Sequence, residues 1–307
     1  MHDKKIIFMG TPNIAVQHLK LLIEKNLNIV GVFTQPPRKK NRGMQIEESE
    51  VHKIAIKNNL EIFLPSNIDE AIIKKTKSLK PDLIIVVAYG LILPEEFLNI
   101  PTYGCINIHV SLLPRWRGAA PIEHTLLEGD KKTGISIIKI SPELDAGDII
   151  MQESLLIDND IYSDDLTSIL TNLGKKTMMK VLPNLFENKI IAEKQDQNKV
   201  TYASKFSSED RKINFNSSAE KVINHIRAHG PKPGSWFIFK GERIKILKAI
   251  KSNTTGKKST ILNKEFFLAC DGGSIIPTYI QREGKKAVLL EEFLRGFSFS
   301  IDDKLND

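Results

Sequence analysis

The sequence predicts an α/β protein with a mostly parallel sheet, followed by a small β-barrel. Three observations carry that expectation. Short, fully apolar runs alternate with amphipathic stretches through residues 1–189. Residues 190–206 interrupt this pattern with a polar segment of little periodicity. Beyond them, short apolar runs recur at regular spacing behind a turn cluster at Gly230–Gly234.

Taken in order, Ile6–Met9 is the first apolar run. A Gly-Thr-Pro turn follows, and then a segment in which Ile14, Leu19, Leu21 and Leu22 form a helical face. Strands are expected over 28–35, 60–65, 82–90 and 105–110, with helices over 49–59 and 68–80 between them. Strands without a polar face suit a parallel sheet covered by helices on both sides. Residues 134–140 and 148–157 read as further strands, and 164–188 as a long amphipathic helix closing the unit. This bounds a first domain at 1–189, a linker at 190–206 and a C-terminal domain at 207–307. In the last of these, 217–229 reads as a helix with Ser217 or Ser218 as N-cap. Short strands are expected over 235–241, 243–251, 258–263, 265–270, 274–283 and 285–294.

The composition, 26% charged and 41% hydrophobic over 307 residues, is that of an ordinary soluble chain. Near the N-terminus only Ile6–Met9 is apolar, too short for the core of a signal peptide. No stretch approaches the roughly 18–20 apolar residues of a membrane span. The expected address is the cytoplasm. Cys105 and Cys270 are far apart, form no metal pattern and fit two free thiols in a reducing compartment. Nothing calls for a metal, and with no legible interface a monomer is the default. The charge is unevenly placed. Residues 1–204 hold 25 Lys/Arg and 25 Asp/Glu, whereas 205–307 hold 19 Lys/Arg and 12 Asp/Glu. Such asymmetry suggests a polyanionic partner; the plainer alternative is a small domain with a few extra lysines.

The chemistry concentrates at residues 106–114, Ile-Asn-Ile-His-Val-Ser-Leu-Leu-Pro. On a strand, Asn107 and His109 point to one face, at the carboxyl end where open α/β sheets bind ligands. An Asn amide can donate to a developing oxyanion, and a His can move protons near neutral pH. The alternative is a strand-end pair bonded to the next loop. A histidine used this way needs an orienting carboxylate. Asp145 and Asp148 are candidates, and Asp148 could equally cap its own turn. No G-x-S-x-G surrounds Ser111, no G-x-G-x-x-G or P-loop is present, and the set lacks a covalent nucleophile. Direct group transfer is the reading that remains. His124 reads as a surface or partly buried histidine, and 36–43 as a basic loop that is either solvated or functional.

Three blocks, residues 86–94, 105–137 and 143–148, resemble the signature segments of the folate-dependent formyltransferases. The Arg-Gly-Ala-Ala-Pro-Ile run and Val32–Pro36 are most similar to members that act on an aminoacylated initiator tRNA. The resemblance covers nearly the whole chain. It implies a Rossmann-like formyltransferase domain and an OB-like β-barrel C-terminal domain. It implies transfer of a formyl group from 10-formyltetrahydrofolate to the α-amino group of initiator methionyl-tRNA, releasing tetrahydrofolate. The family's catalytic Asn, His and Asp fall on Asn107, His109 and Asp145. Its folate-binding loop falls on Ser111, Leu112, Leu113 and Pro114. Val86, Val87, Ala88, Tyr89 and Gly90, with the turn at 143–148, would line the pterin pocket. Two departures stand out. Val110 follows the histidine where the family usually has Gly or Ala. After Val32–Pro36 the family often has a Gly-Arg-Gly-Lys-Lys-Leu segment; here Arg42 and Gly43 remain, and Met-Gln-Ile-Glu-Glu-Ser-Glu replaces the lysines. Lys39 and Lys40 supply charge on the other side, so Arg42, Lys39 and Lys40 are the expected tRNA contacts. The acidic run at 47–50 would then face away or begin the next helix. Other acceptors are a small amine, which would not need the basic C-terminal third, or none at all on an RNA-binding scaffold, which would not need the intact trio.

Overall fold

The computed structural model describes residues 1–40 and 45–306. The chain divides into two compact units that are not contiguous in sequence. The first comprises Met1–Gly118, Gly134–Leu155 and Ser168–Tyr202; the second comprises Ala119–Thr133, Leu156–Thr167 and Ala203–Asp307.

The early elements are β1 (Ile6–Gly10), α1 (Asn13–Glu24), β2 (Ile29–Phe33), β3 (Arg38–Lys40), β4 (Gln45–Glu47), α2 (Glu50–Lys57), β5 (Ile62–Phe63), α3 (Glu70–Leu79), β6 (Leu83–Val87), α4 (Glu95–Leu98) and β7 (Cys105–His109). They are followed by β8 (Arg117–Gly118), α5 (Pro121–Leu127), β9 (Lys132–Lys139), β10 (Ile149–Leu156) and α6 (Ser163–Phe186). Seven strands form one sheet in the order β10-β9-β7-β6-β1-β2-β5. β5, β2, β1, β6 and β7 run parallel, and β9 is antiparallel to β7. Every residue of β1 and β6 is buried, as covered parallel strands require. The unbroken apolar runs were the signal for this, and the sheet is the mostly parallel one expected. The acidic run at 47–50 does lead into a helix: Ser49 caps α2 by accepting from the His52 amide at 3.0 Å, and Glu50 begins it. An acid there meets the positive end of the helix dipole.

Between Pro36 and Glu50 the expected polar connection carries the short antiparallel pair β3–β4, with Arg38 opposite Glu47. Lys39 and Lys40 lie on β3, whereas Arg42 lies outside the described residues.

After β11 (Tyr202–Ala203), the second unit contains α7 (Ala219–His229), β12 (Ser235–Phe239), β13 (Glu242–Ser252), β14 (Leu268–Cys270), β15 (Gly273–Arg282), β16 (Ala287–Leu289) and α8 (Leu290–Leu294). Of the two serines, Ser218 is the N-cap of α7. β12, β13, β15 and β14 form an antiparallel sheet in that order, with β16 on β15. It is the sheet of an OB-like barrel, and its core includes Phe215, Phe237, Phe239, Phe266 and Phe293. Two expected strands differ. Residues 258–263 make only isolated pairings at Thr260 and Ile261. Residues 285–294 divide into β16 and α8, because the polar-apolar pattern changes after Leu289 and two acids suit a first helical turn. Among the described residues, no helix is long and apolar enough to cross a membrane.

Candidate active site

The register of the sheet brings two of the expected segments together. Val86 near the end of β6 pairs with Asn107 on β7, so the proposed pterin strand and the Asn-His strand end side by side. The period-2 alternation of β7 sends Asn107 and His109 to one face, and the turn after β9 brings Asp145 to them. Asn107 Nδ2 donates to Asp145 Oδ1 at 3.2 Å. His109 Nδ1 lies 3.5 Å from Asp145 Oδ2. The Gly118 amide donates to the same oxygen at 2.9 Å. Asp148 instead uses its carbonyl in the hairpin, accepting from the Lys139 amide.

His109 is buried, and its Nε2 is 2.8 Å from the Trp116 carbonyl oxygen. A carbonyl only accepts, so this nitrogen carries a proton. The other nitrogen, Nδ1, faces the Asp145 carboxylate. At 3.5 Å that approach is longer than a short hydrogen bond.

Asp145 takes φ of 49°, a left-handed conformation that Asp tolerates better than most residues. Gly147 beside it is needed for space: a Cβ there would fall on the Lys139 carbonyl. The turn is also held from outside. Gln195 Nε2 donates to the carbonyls of Asp145 at 2.7 Å and Gly147 at 2.8 Å. Its Oε1 accepts from Arg117 Nε at 3.0 Å and Nη2 at 2.8 Å. Gln195 and Arg117 are both buried. No local pattern marks Gln195, a polar residue in the segment without periodicity; Arg117 lies within residues 105–137, where nothing in its spacing points to Gln195.

The 111–114 loop is fixed from behind by side chains of β9 and β10. Ser136 Oγ donates to the Ser111 carbonyl at 2.7 Å and accepts from the Leu113 amide at 2.9 Å. Gln152 Nε2 donates to the Leu113 carbonyl at 2.9 Å. Ser111 Oγ itself donates to the Arg115 carbonyl, so it is a brace rather than a nucleophile. Leu112 and Pro114 are half-buried and Leu113 is buried.

After β6 the backbone bends through Ala88 at φ 48° and Gly90 at φ 84°. The Tyr89 carbonyl accepts from Gln35 Nε2 at 2.9 Å and Thr11 Oγ1 at 3.3 Å. Val86, Val87 and the Tyr89 ring are buried, whereas Ala88 and Gly90 are exposed. Burial pushes the Tyr89 phenol up, and its hydroxyl has no hydrogen-bond partner. The segment therefore presents backbone rather than the Tyr89 side chain. Among the described residues there is no group of three or more His, Cys, Asp or Glu placed to hold a metal ion.

Such a cluster offers amide and imidazole N–H donors, a carboxylate to take up a proton, and an apolar strand end with polar backbone for a flat heterocycle. The formyl transferase family model matches residues 4–182, and the model of the formyl transferase C-terminal domain matches residues 205–298. The methionyl-tRNA formyltransferase of Wolbachia sp. subsp. Drosophila simulans is 40% identical over 301 residues, covering 98% of this chain and 99% of that protein. That of Pelagibacter ubique is 40% identical over 296 residues, covering 95% and 96%. Among solved structures, the N-formyltransferase from Helicobacter canadensis in complex with folinic acid and dTDP-3-aminofucose matches with a TM-score of 0.69 at 22% identity. It covers 91% of this chain and 99% of that one, a likeness of fold.

Proposed function

This chain belongs to the formyl transferase family, and on that premise we propose that it transfers the formyl group of 10-formyltetrahydrofolate to the α-amino group of initiator methionyl-tRNA. It does so in the cytoplasm, as a monomer. The observation that carries the reading is the Asp145 carboxylate set among Asn107, His109 and the Gly118 amide at the end of β7. The near full-length similarity to methionyl-tRNA formyltransferases supports the choice of acceptor.

The amine nitrogen attacks the formyl carbon, so a new C–N bond forms and the bond to the folate nitrogen breaks. The attacking nitrogen loses one proton and the leaving nitrogen gains one. In between, negative charge develops on the formyl oxygen. Asn107 spends one N–H on Asp145 and keeps its second for that oxygen. His109 is fixed by its Nε2 bond to Trp116, and when the ring is protonated its Nδ1–H, 3.5 Å from the carboxylate, turns to the same oxygen. Asp145 holds both donors and is the base that passes the proton on. Preorganised donors of this kind are worth about 10²–10³ in rate each.

Ser111–Pro114 and Val86–Gly90 hold the folate through their backbone and apolar surface. Residues 1–189 carry the chemistry, 190–206 link, and 207–307 contact tRNA phosphates, with Lys39, Lys40 and Arg42 at the acceptor end. The test is an incubation of the protein with 10-formyltetrahydrofolate and methionyl-tRNA, with an amino-sugar nucleotide as competing acceptor. N-formylmethionyl-tRNA as the product supports the reading. Formylation of the sugar alone, or of neither, overturns it.

A further inference from the structure

Within the second unit lies a cavity of about 680 Å³. It is assembled from parts far apart in sequence: Lys131 after α5, Asn159, Asp160 and Tyr162 ahead of α6, Arg227 on α7 and Lys248–Lys251 on β13. Arg227 is buried, with only 6% of its surface exposed. Its guanidinium donates to the Ile161 carbonyl at 2.9 Å, the Asn224 side-chain oxygen at 3.1 Å and the Asp158 carbonyl at 3.0 Å. All three acceptors are neutral. A guanidinium has five N–H donors, so two remain. Burial lowers the pKa of this group, the direction expected of a buried cation without a bonded counter-ion.

The neighbouring charges leave an excess of cations. Lys251 is paired with Glu220 at 2.8 Å. Lys131 donates to the neutral Asn159 side chain at 3.2 Å. Lys248 is exposed, with its Nζ 5.3 Å from the centroid of the Tyr162 ring. Asp160 is the other carboxylate on the wall. Four cationic groups thus face two carboxylates, and one carboxylate is already engaged. The mouth also carries an apolar side, Ile223 and Ile250.

We propose that this cavity is a phosphate-ester site, in which the free N–H groups of Arg227 and the ammonium groups of Lys131 and Lys248 hold the phosphate. The planar guanidinium suits two phosphate oxygens at once, and the lysines act as point charges around it. The apolar side takes the sugar or base attached to that phosphate. A phosphodiester of RNA and a free nucleotide share this chemistry. The site needs nothing of the chemistry at Asp145.

The experiment measures equilibrium binding of AMP and of deacylated tRNA to the full chain and to the double variant Lys131→Ala/Lys248→Ala, over a range of salt. It needs neither folate nor methionine, so its outcome is separate from that of formyl transfer. If the phosphate belongs to RNA, the double variant binds tRNA at least about tenfold more weakly, and its log–log salt slope is shallower by about two. Loss of AMP binding with unchanged tRNA affinity assigns the site to a free nucleotide. Arg227→Lys keeps the charge but loses the fork, and weakens the same ligand with an unchanged circular dichroism spectrum. If both ligands bind the wild type and the double variant alike, or AMP and tRNA fail to bind the wild type, the proposal is overturned.

Discussion

At the end of β7 a carboxylate is ringed by donors that the fold holds in place, whereas in the cavity of the second unit a guanidinium is ringed by neutral oxygens. Asp145 receives the Asn107 amide and the Gly118 N–H, and faces His109. Arg227 has carbonyls and an amide oxygen; of the lysines near it, Lys131 bonds the neutral Asn159 side chain, Lys248 is exposed and Lys251 is paired with Glu220. The first arrangement is electrically finished before any substrate arrives, so a reacting oxygen meets donors that need no reorganisation. The second is unfinished and is completed by an anion. A preorganised set serves chemistry, and an unbalanced one serves binding. Changes at the first should appear in turnover, and changes at the second in affinity and its salt dependence.

The largest effect that would break this contrast is at Asp145. Asp145→Asn keeps the shape but removes the charge, and we expect formyl transfer to fall by about 10²–10³. Asn107→Ala and His109→Ala should fall by a similar factor, with donor folate affinity changed much less. Asp148→Asn should stay within a few-fold of wild type, since that residue contributes its carbonyl to the hairpin. Single-turnover kinetics at saturating folate decide this; a full rate in the Asp145 variant would return it to the status of a turn residue.

Gln195 sharpens the comparison, because it separates positioning from packing. Gln195→Leu removes the bonds to the Asp145 and Gly147 carbonyls and leaves buried Arg117 without its acceptor. It should cost about 3 kcal/mol in stability. It should also lower kcat ~10- to 100-fold by loosening the turn. Gln195→Glu gives Arg117 a partner but offers the two carbonyls no donor. It should melt near wild type and still show the reduced kcat with KM for the folate unchanged. Recovery of both properties in the Glu variant would show that Gln195 only accommodates Arg117.

Arg42→Ala should reduce kcat/KM for methionyl-tRNA by about tenfold, the worth of one charge-assisted contact of ~1.5 kcal/mol, without affecting folate binding. Unchanged kinetics with the tRNA substrate would leave that recognition to the C-terminal region and the remaining basic residues.

The smallest effect at neutral pH comes from two buried histidines, one in each unit. Burial lowers His18 to about 4 and His229 to about 3. In both, Nε2 has no hydrogen-bond partner. Below an unfolded pKa of about 6.5 the unfolded chain takes up the proton first. Stability is therefore full above that value and is lost as pH falls towards about 4 for His18 and about 3 for His229. The loss is at most about 1.4 kcal/mol per pH unit for each group. Urea unfolding at pH 7.5 and 5.5 measures it, and replacing either histidine by Leu should flatten the dependence. An equal slope in the variants would assign the acid sensitivity to other groups.

Much of this molecule was written in local pattern. The apolar runs of β1 and β6 announced covered parallel strands, because a strand buried on both faces has no polar side to alternate. Asn107 and His109 shared a face for the simple reason that side chains on a strand repeat every two residues. A serine cap on α7 was legible ahead of an amphipathic stretch, with Ser217 and Ser218 both fitting and Ser218 used, and the charge excess of the last third needed only counting. Tertiary structure decided what local pattern could not. Spacing alone left Asp145 and Asp148 as candidates and the family resemblance pointed to Asp145; the path of the turn is what sets its carboxylate against His109. Gln195 reaches the Asp145 carbonyl across fifty positions, and no periodicity marks such a bond, since a hydrogen bond depends on where two atoms lie in space. The same holds for Arg227, two of whose three acceptors come from residues before α6. Side-chain alternation is a property of the chain itself, whereas the completion of a buried charge depends on which distant segment the fold brings to it.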